Sequence, residues 1–359
     1  MALTLKPWTG SSEEIYQLLV NTSWVKSYGG RSTFDYTPEF LDWYCKNPIA
    51  QPDDKLALYD GDKLVGYCIT IRRKYLLKGK IIDGLFITGL SINPDKSKKG
   101  YGSTMTLEII KKYQAENKKH GTPEVLSFFN DDDRPTSRIF PKANREAGTF
   151  LTKLAQVNLF AKVFSVEKLK NVEDVKWYES ISMSVIGRFG APKQSYSDQL
   201  KQYERKHLDD CLSLINEIAP KQDFCPVFEK EELHHYLQYK NFSNTVVFEA
   251  AGQVVGFIQY RLIPLTGKGT KEIFGFIDWV CDQKMDRPQA KSLLNFCLTQ
   301  MKDSGAIAAM YCDLPALRES KIRSSLFLPY PRKVFLSTSV FDENKVNFND
   351  VKRSYEPLA

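Results

Sequence analysis

Apolar and polar positions along this chain fall into a pattern that occurs twice. Leu56–Thr70 and Val246–Tyr260 each alternate around a tight turn, with Leu64, Val65 and Gly66 over Val254, Val255 and Gly256, and each predicts two strands joined as a hairpin. An apolar strand follows in both copies, Ile82–Ile92 and Ile273–Cys281. Helical spacing comes next, over Gly100–Lys119 and Pro288–Ser304, and each helix stops at a glycine suited to a left-handed C′ position, Gly121 or Gly305. Further strands are predicted at Val125–Asn130 and Ala306–Asp313, with closing strands at Asn158–Val166 and Arg332–Val340. Upstream of each hairpin, Thr37–Asn47 and Glu229–Asn241 read as short helices, and the stripe of Phe40, Leu41 and Tyr44 reads as core.

The repeat predicts an α/β (α+β) chain of two like domains, each a mixed, mainly antiparallel sheet flanked by helices. Residues 1–175 form the first and 198–359 the second, with a linker at 176–197 inside a stretch punctuated by Gly187, Gly190 and Pro192. A length of 359 residues agrees with two domains, and 42% hydrophobic residues supply packed cores for both.

One junction stands out from this regular pattern. The strand ending Leu90-Ser91-Ile92 runs into Pro94-Asp95-Lys96-Ser97-Lys98-Lys99-Gly100-Tyr101-Gly102-Ser103, which opens directly onto a helix. Such a junction aims free backbone N–H groups and a helix dipole at an anion. Glycine lets the backbone approach a phosphate without a Cβ in the way, and Lys98 and Lys99 add long-range attraction. A Walker loop fails because no lysine follows Gly102, and a dinucleotide fingerprint fails because Met105 stands where a third glycine belongs. In the second copy the turn Asp282–Ala290 has no glycine, carries two acidic residues and places Pro288 in the first helical turn, so only the first copy is expected to hold the anion.

The turn from Ser97 to Gly102, after its strand and before its helix, resembles motif A (Q/R-x-x-G-x-G/A) of the GNAT acyltransferase superfamily, and the order of elements in each copy is similar to that fold. The resemblance implies an acyl-coenzyme A site in the first copy, with acetyl-coenzyme A as the expected cosubstrate, and a degenerate second domain. It implies that the backbone of Leu90, Ser91 and Ile92 meets the pantetheine arm, that Ser97, Lys98, Lys99, Gly100, Tyr101, Gly102 and Ser103 wrap the pyrophosphate, and that Asp133 and Ser137 lie near the cofactor. Ser97 departs from the usual Gln or Arg. Phe140 stands where many members keep a tyrosine to protonate the departing thiolate, and Phe86 stands where some carry a glutamate base. Asn130, Asp131 and Asp83 are then the polar candidates for orienting an amine or a water, with Thr88 as a further possibility.

The implied reaction is transfer of an acyl group, acetyl by expectation, to the amine of a small molecule or protein. The same fold admits a longer acyl chain, as in N-myristoyltransferases, or an aminoacyl-tRNA donor, as in the Fem-type peptidyltransferases. A non-catalytic coenzyme A sensor is the reading from another class, and the missing tyrosine and glutamate point towards it.

Charge and composition narrow the partners little. A formal charge of +7 selects no nucleic acid, and no apolar run approaches the roughly 18 residues that span a bilayer, so neither nucleic acid nor membrane is expected and the chain reads as cytoplasmic. The seven cysteines include no CxxC pair and sit mostly in apolar runs, which reads as buried free thiols. His120, His207, His234 and His235 have no ligand spacing, so no metal is expected. Arg72, Arg73 and Lys74 read as a solvated hairpin flank, with Lys78 and Lys80 bordering the cofactor entrance.

Overall fold

The structure, a computed structural model, describes residues 3–17, 23, 32–131, 136–174, 198–313 and 327–357. The expected linker at 176–197 lies outside the described residues. In chain order the strands are β1 (Leu3–Pro7), β2 (Thr33–Phe34), β3 (Lys55–Asp60), β4 (Lys63–Leu77), β5 (Lys80–Ile92), β6 (Val125–Asp131), β7 (Phe150–Val163), β8 (Leu200–Gln202), β9 (Phe224–Val227), β10 (Ser243–Ala250), β11 (Gln253–Gly267), β12 (Thr270–Cys281), β13 (Ala308–Cys312) and β14 (Leu328–Val340). The helices are α1 (Ser12–Ile15), α2 (Pro38–Cys45), α3 (Tyr101–His120), α4 (Thr136–Ala147), α5 (Val166–Val172), α6 (Leu208–Ile218), α7 (Lys230–Leu237) and α8 (Arg287–Asp303).

The repeat is visible down to its turns. Lys78-Gly79 joins β4 to β5 and Lys268-Gly269 joins β11 to β12, each with both residues at positive φ (48° and 84°, 48° and 80°), the requirement of a two-residue turn that matches strand twist. Both hairpins extend into long antiparallel ladders, Leu77↔Lys80 to Gly66↔Ile92 and Gly267↔Thr270 to Phe257↔Cys281.

The halves differ from the expected pair of separate sheets. The strands form one mainly antiparallel sheet in the order β1-β3-β4-β5-β6-β14-β7-β13-β12-β11-β10-β8, with β2 and β9 attached to its side. The closing strands cross over: β14, from the end of the chain, pairs with β6 of the first half, and β7 pairs with β13 of the second. Between them β7 and β14 run antiparallel from Phe150↔Val340 to Ala161↔Leu328. Each half therefore completes its sheet with a strand from the other, and the apolar material of the two halves is joined at the centre.

Three apolar clusters cover the sheet. One, with Leu85, Ile87, Met105, Ile109, Leu126, Phe128 and Phe140, packs β4–β6 against α3 and α4. The largest runs through both halves, from Phe40, Tyr67, Ile71 and Phe86 to Phe257, Trp279 and Leu294. A smaller one surrounds Tyr75, Phe224 and Leu336. All seven cysteines are free, six of them buried and Cys45 half-buried, as the apolar runs around them predict. No helix among the described residues is long and apolar enough to cross a membrane.

Candidate functional site

The first half contains an opening in its sheet. β5 and β6 are parallel neighbours only over Gly84–Phe86 and Val125–Ser127. Beyond that point β5 continues alone against β4, and β6 continues alone against β14, so the two strands diverge from Ile87 and Phe128 onward. A bulge sets the divergence on the β5 side. Ile69 faces Thr88 and Tyr67 faces Ser91, which leaves Gly89 and Leu90 together opposite Cys68. Gly89 has φ +64°, a conformation that costs a residue with a Cβ about 1–2 kcal/mol. The bulge is braced locally: the Ser91 hydroxyl donates to the Gly89 carbonyl (3.1 Å), the Tyr36 and Thr88 hydroxyls share a hydrogen bond (3.2 Å), and the Ser23 hydroxyl donates to the Ile92 carbonyl (2.7 Å).

The turn at the open end brings a glycine to the start of a helix. The Asn93 N–H donates to the Val65 carbonyl and its side chain accepts from the Asp95 N–H, which starts a 3₁₀ turn over Pro94–Lys99. Gly100 then adopts φ +78°, with open space where a Cβ would stand. It occupies the N-cap of α3 and, as a glycine, supplies no side-chain cap, and no acidic residue lies in the first turn. The positive end of a 20-residue helix that begins at a glycine suits an external anion. Tyr101 fixes the turn to the neighbouring hairpin by donating to Asp60 (2.8 Å). A Cβ at Gly102 would lie 3.2 Å from Ile139 of α4 and 3.7 Å from Ile92, so glycine keeps helix, strand and α4 close. Lys99 is exposed beside it, whereas the side chains of Ser97 and Lys98 lie outside the described residues.

The sequence candidates are not all brought together. Leu90, Ser91, Ile92, Gly100, Tyr101, Gly102 and Ser103 share the mouth of the opening, and Ser137 lies in the first turn of α4, whose Ile139 reaches Gly102. Asn130 is buried near the open end of β6, where it accepts from the Ser337 hydroxyl of β14 (3.1 Å); Asp131 follows it opposite Val334, and Asp133 lies outside the described residues. Asp83 is elsewhere. It is exposed nine positions from Ile92 along β5, about 30 Å by strand rise. Phe140 is buried face to face on Phe128 (3.7 Å between centroids), so the tyrosine position of the resemblance is filled by packing.

Two expectations about charge are corrected. Arg73 is not solvated: it is 2% exposed, ion-paired with the fully buried Glu356 of the chain's final segment, hydrogen-bonded to the Tyr236 hydroxyl and stacked over Phe86 (4.9 Å). Strand parity carries the signal, because Ile69, Ile71 and Arg73 share one face of β4 and the first two are core. Lys78 does not border the opening; it is bonded to the Asn349 carbonyl at the opposite end of β5. Glu232, unremarked in the sequence, is buried near Arg73, and burial raises its carboxyl to about 7 although Arg73 opposes the shift. Among the described residues no three metal-ligating side chains cluster.

The arrangement can therefore hold a polyanion at the turn and admit a narrow linear group along the free edge of β5. Residues 23–121, which contain the bulge, the turn and α3, match the family of acetyltransferase (GNAT) domains. Glycylpeptide N-tetradecanoyltransferase of Candida glabrata is 23% identical over 266 residues, 71% of this chain and 54% of that protein. The protein of that name from Drosophila melanogaster is 21% identical over 257 residues, 70% and 50%. The chain thus spans about half the length of the curated relatives it matches. Among solved structures, Saccharomyces cerevisiae N-myristoyltransferase with bound myristoyl-CoA superposes with TM-score 0.74 at 15% identity, covering 94% of this chain and 82% of that one. A GCN5-related N-acetyltransferase from Anabaena variabilis gives 0.56 at 11% identity, covering 95% and 73%.

Proposed function

We propose that this chain, whose fold is that of tandem GNAT domains, transfers a long-chain acyl group of the tetradecanoyl class from acyl-coenzyme A to the amine of a glycyl peptide. The observation that carries the reading is the uncapped N-terminus of α3 at Gly100, set at the open end of a bulged, diverging strand pair. Gly100–Ser103 would hold the pyrophosphate, and the free edge of Leu90–Ile92 would receive the pantetheine arm. Bound acyl-coenzyme A supplies the thioester; the chain supplies its orientation and a water-poor setting against Phe86 and Phe129, whose rings lie 5.9 Å apart at the closed end of the opening. Asn130 and Asp131 are proposed to orient the acceptor, and Asp83, at the far end of β5, is given no role.

The acetyl donor expected from motif A is the weaker reading. The named relatives are tetradecanoyltransferases, and the fold match is higher to the myristoyl-CoA complex than to the N-acetyltransferase. Incubating the chain with tetradecanoyl-CoA or acetyl-CoA and a peptide beginning with glycine, and following thiol release with peptide mass, tests this. Tetradecanoyl transfer well ahead of acetyl is expected. Faster acetyl transfer would reject the chain-length assignment, and tight binding with neither transfer would favour a coenzyme A sensor.

A further inference from the structure

Two clefts lie at the seam of the halves, and the repeat relates them. In each, the long hairpin of one half meets the start of a short helix from the other: β4 and β5 meet α7, and β11 and β12 meet α2. Counted from the matched turns at Lys78-Gly79 and Lys268-Gly269, Arg72, Lys74 and Asp83 correspond to Leu262, Pro264 and Ile273, and the cross-strand pair Lys74↔Asp83 becomes Pro264↔Ile273. The first cleft encloses about 280 Å³ and is taken up by its own charges. Lys74 pairs with Glu229 at the start of α7 (2.8 Å), and Arg72 pairs with Asp54 and Glu116. The second encloses about 590 Å³, within the roughly 300–1,000 Å³ of ligand pockets, and is floored by Leu262, Pro264 and Ile273 together with Phe242. The first three of these are only half-buried, so their apolar surface is open to the cleft.

The exchange of charged for apolar residues leaves one charge behind. Glu39, in the first turn of α2, lines the second cleft as Glu229 lines the first, but Pro264 stands where a lysine would pair with it, and no Lys or Arg lines this cleft. Glu39 is half-buried and makes no ion pair or hydrogen bond among the described residues. Lys240, next to Asn241 in sequence, lies over the Tyr239 ring, and Lys271, two residues before Ile273, pairs with Asp35. The dipole of α2 favours a carboxylate in its first turn but leaves both oxygens able to accept from a ligand.

An apolar floor beside an unpaired carboxylate matches a molecule with a hydrocarbon body and a cationic head. We propose that the second cleft binds a small apolar ammonium, its body against Leu262, Pro264 and Ile273 and its nitrogen at Glu39, in the place that Lys74 fills in the first cleft. The cleft lies near the turn of the β11–β12 hairpin, in the other half of the sheet from Gly100–Ser103, so the proposal does not rest on acyl transfer.

Methyl NMR of the full chain, labelled at the isoleucine δ1 positions and with the Ile273 signal identified by Ile273→Val, is the test. The probes are hexylammonium, hexanol and hexanoate, which share an apolar body and differ in the charge of the head. Hexylammonium should shift the Ile273 signal saturably, with an affinity about fivefold above that of hexanol, the upper end for a half-exposed ion pair, and further above that of hexanoate. Glu39→Gln should bring hexylammonium down to the affinity of hexanol, and Pro264→Lys, which restores the internal cation of the first cleft, should do the same. No saturable shift at Ile273, or equal affinity for hexylammonium and either other probe in the unaltered chain, would overturn the proposal without reference to any variant. Unchanged hexylammonium affinity in a folded Glu39→Gln chain would overturn it as well.

Discussion

The two halves share one topology and finish it in opposite ways at the same place. In the first, β5 and β6 part after three paired residues and the helix that follows starts at an uncapped Gly100. In the second, β12 and β13 part after Phe274–Ile277 and Ala308–Tyr311, but protein fills the opening. Tyr355 donates its hydroxyl to the Asp278 carbonyl and lays its ring against Trp279, 4.3 Å between centroids. The following helix is closed as well: Asp286 accepts from the Gln289 N–H (2.8 Å) while Gln289 accepts from the Asp286 N–H (2.9 Å). One copy starts its helix at a glycine, and the other satisfies its helix terminus with its own carboxylate. The difference teaches that duplication supplied two equivalent openings and that filling one of them turned it into core.

The bulges show the same divergence. The first sits at Gly89, at positive φ, and Leu90, without a charged side chain. The second falls at Asp278, whose carboxylate pairs with the buried Arg261. Thr88, the counterpart of Asp278, shares a hydroxyl hydrogen bond with Tyr36, so the same stretch of strand is braced by hydroxyls in one half and by an internal ion pair in the other.

The largest expected effect breaks the comparison from the filled side. Tyr355→Ala should lower unfolding stability by about 3–5 kcal/mol, the range for removing a buried aromatic ring. Chemical denaturation checks it, and a loss below about 1 kcal/mol would mean that Tyr355 does not fill the second opening.

Next in size is the open side. Gly102→Glu sets a carboxylate at the helix end that would hold pyrophosphate and brings a Cβ to 3.2 Å from Ile139. Acyl-coenzyme A affinity should fall at least about 100-fold, ~2.7 kcal/mol. Titration of both proteins with tetradecanoyl-CoA measures this, and equal affinity would remove the turn from the binding site.

Gly89→Ala should have a smaller effect, about 1–2 kcal/mol of stability, from the positive φ alone, because the nearest atom to a new Cβ is Tyr36 Cε1 at 3.8 Å. If the bulge also positions the donor, thiol release falls more steeply than stability does. A parallel fall in both would reduce Gly89 to a structural role.

Much of this was legible because it is local. Alternation gave both hairpins, and Gly100-x-Gly102 marked the turn that opens α3, since each depends on neighbours in sequence. The crossed closing strands were not legible: the alternation in β7 and β14 shows that they are strands but not which strand they pair with. Arg73 was misread because its burial depends on Glu356, far away in sequence, so a run of three basic residues looked solvated. Asp83 was misplaced for a simpler reason: distance along β5 separates it from the turn. The site's opening became visible only when the pairing of β5 and β6 could be seen to stop.

The smallest expected effect tests the proposal that the second half does not bind the coenzyme. Asp286→Ala removes the cap of α8 and should cost about 1 kcal/mol of stability by thermal or chemical unfolding. It should not create a coenzyme site, because the carboxylate is only one of two obstacles. Met285 is buried beneath that turn, with its Sδ 2.1 Å from where a Cβ on Gly256 would stand, and the short turn leaves no counterpart of the 3₁₀ segment at Pro94–Lys99. The comparison can be read with Gly102→Glu as background, so that binding at the first site does not mask the second. Unchanged weak binding on adding Asp286→Ala is expected. Recovery of affinity would show that the self-supplied carboxylate alone separates the two halves, and that their turns are otherwise equivalent.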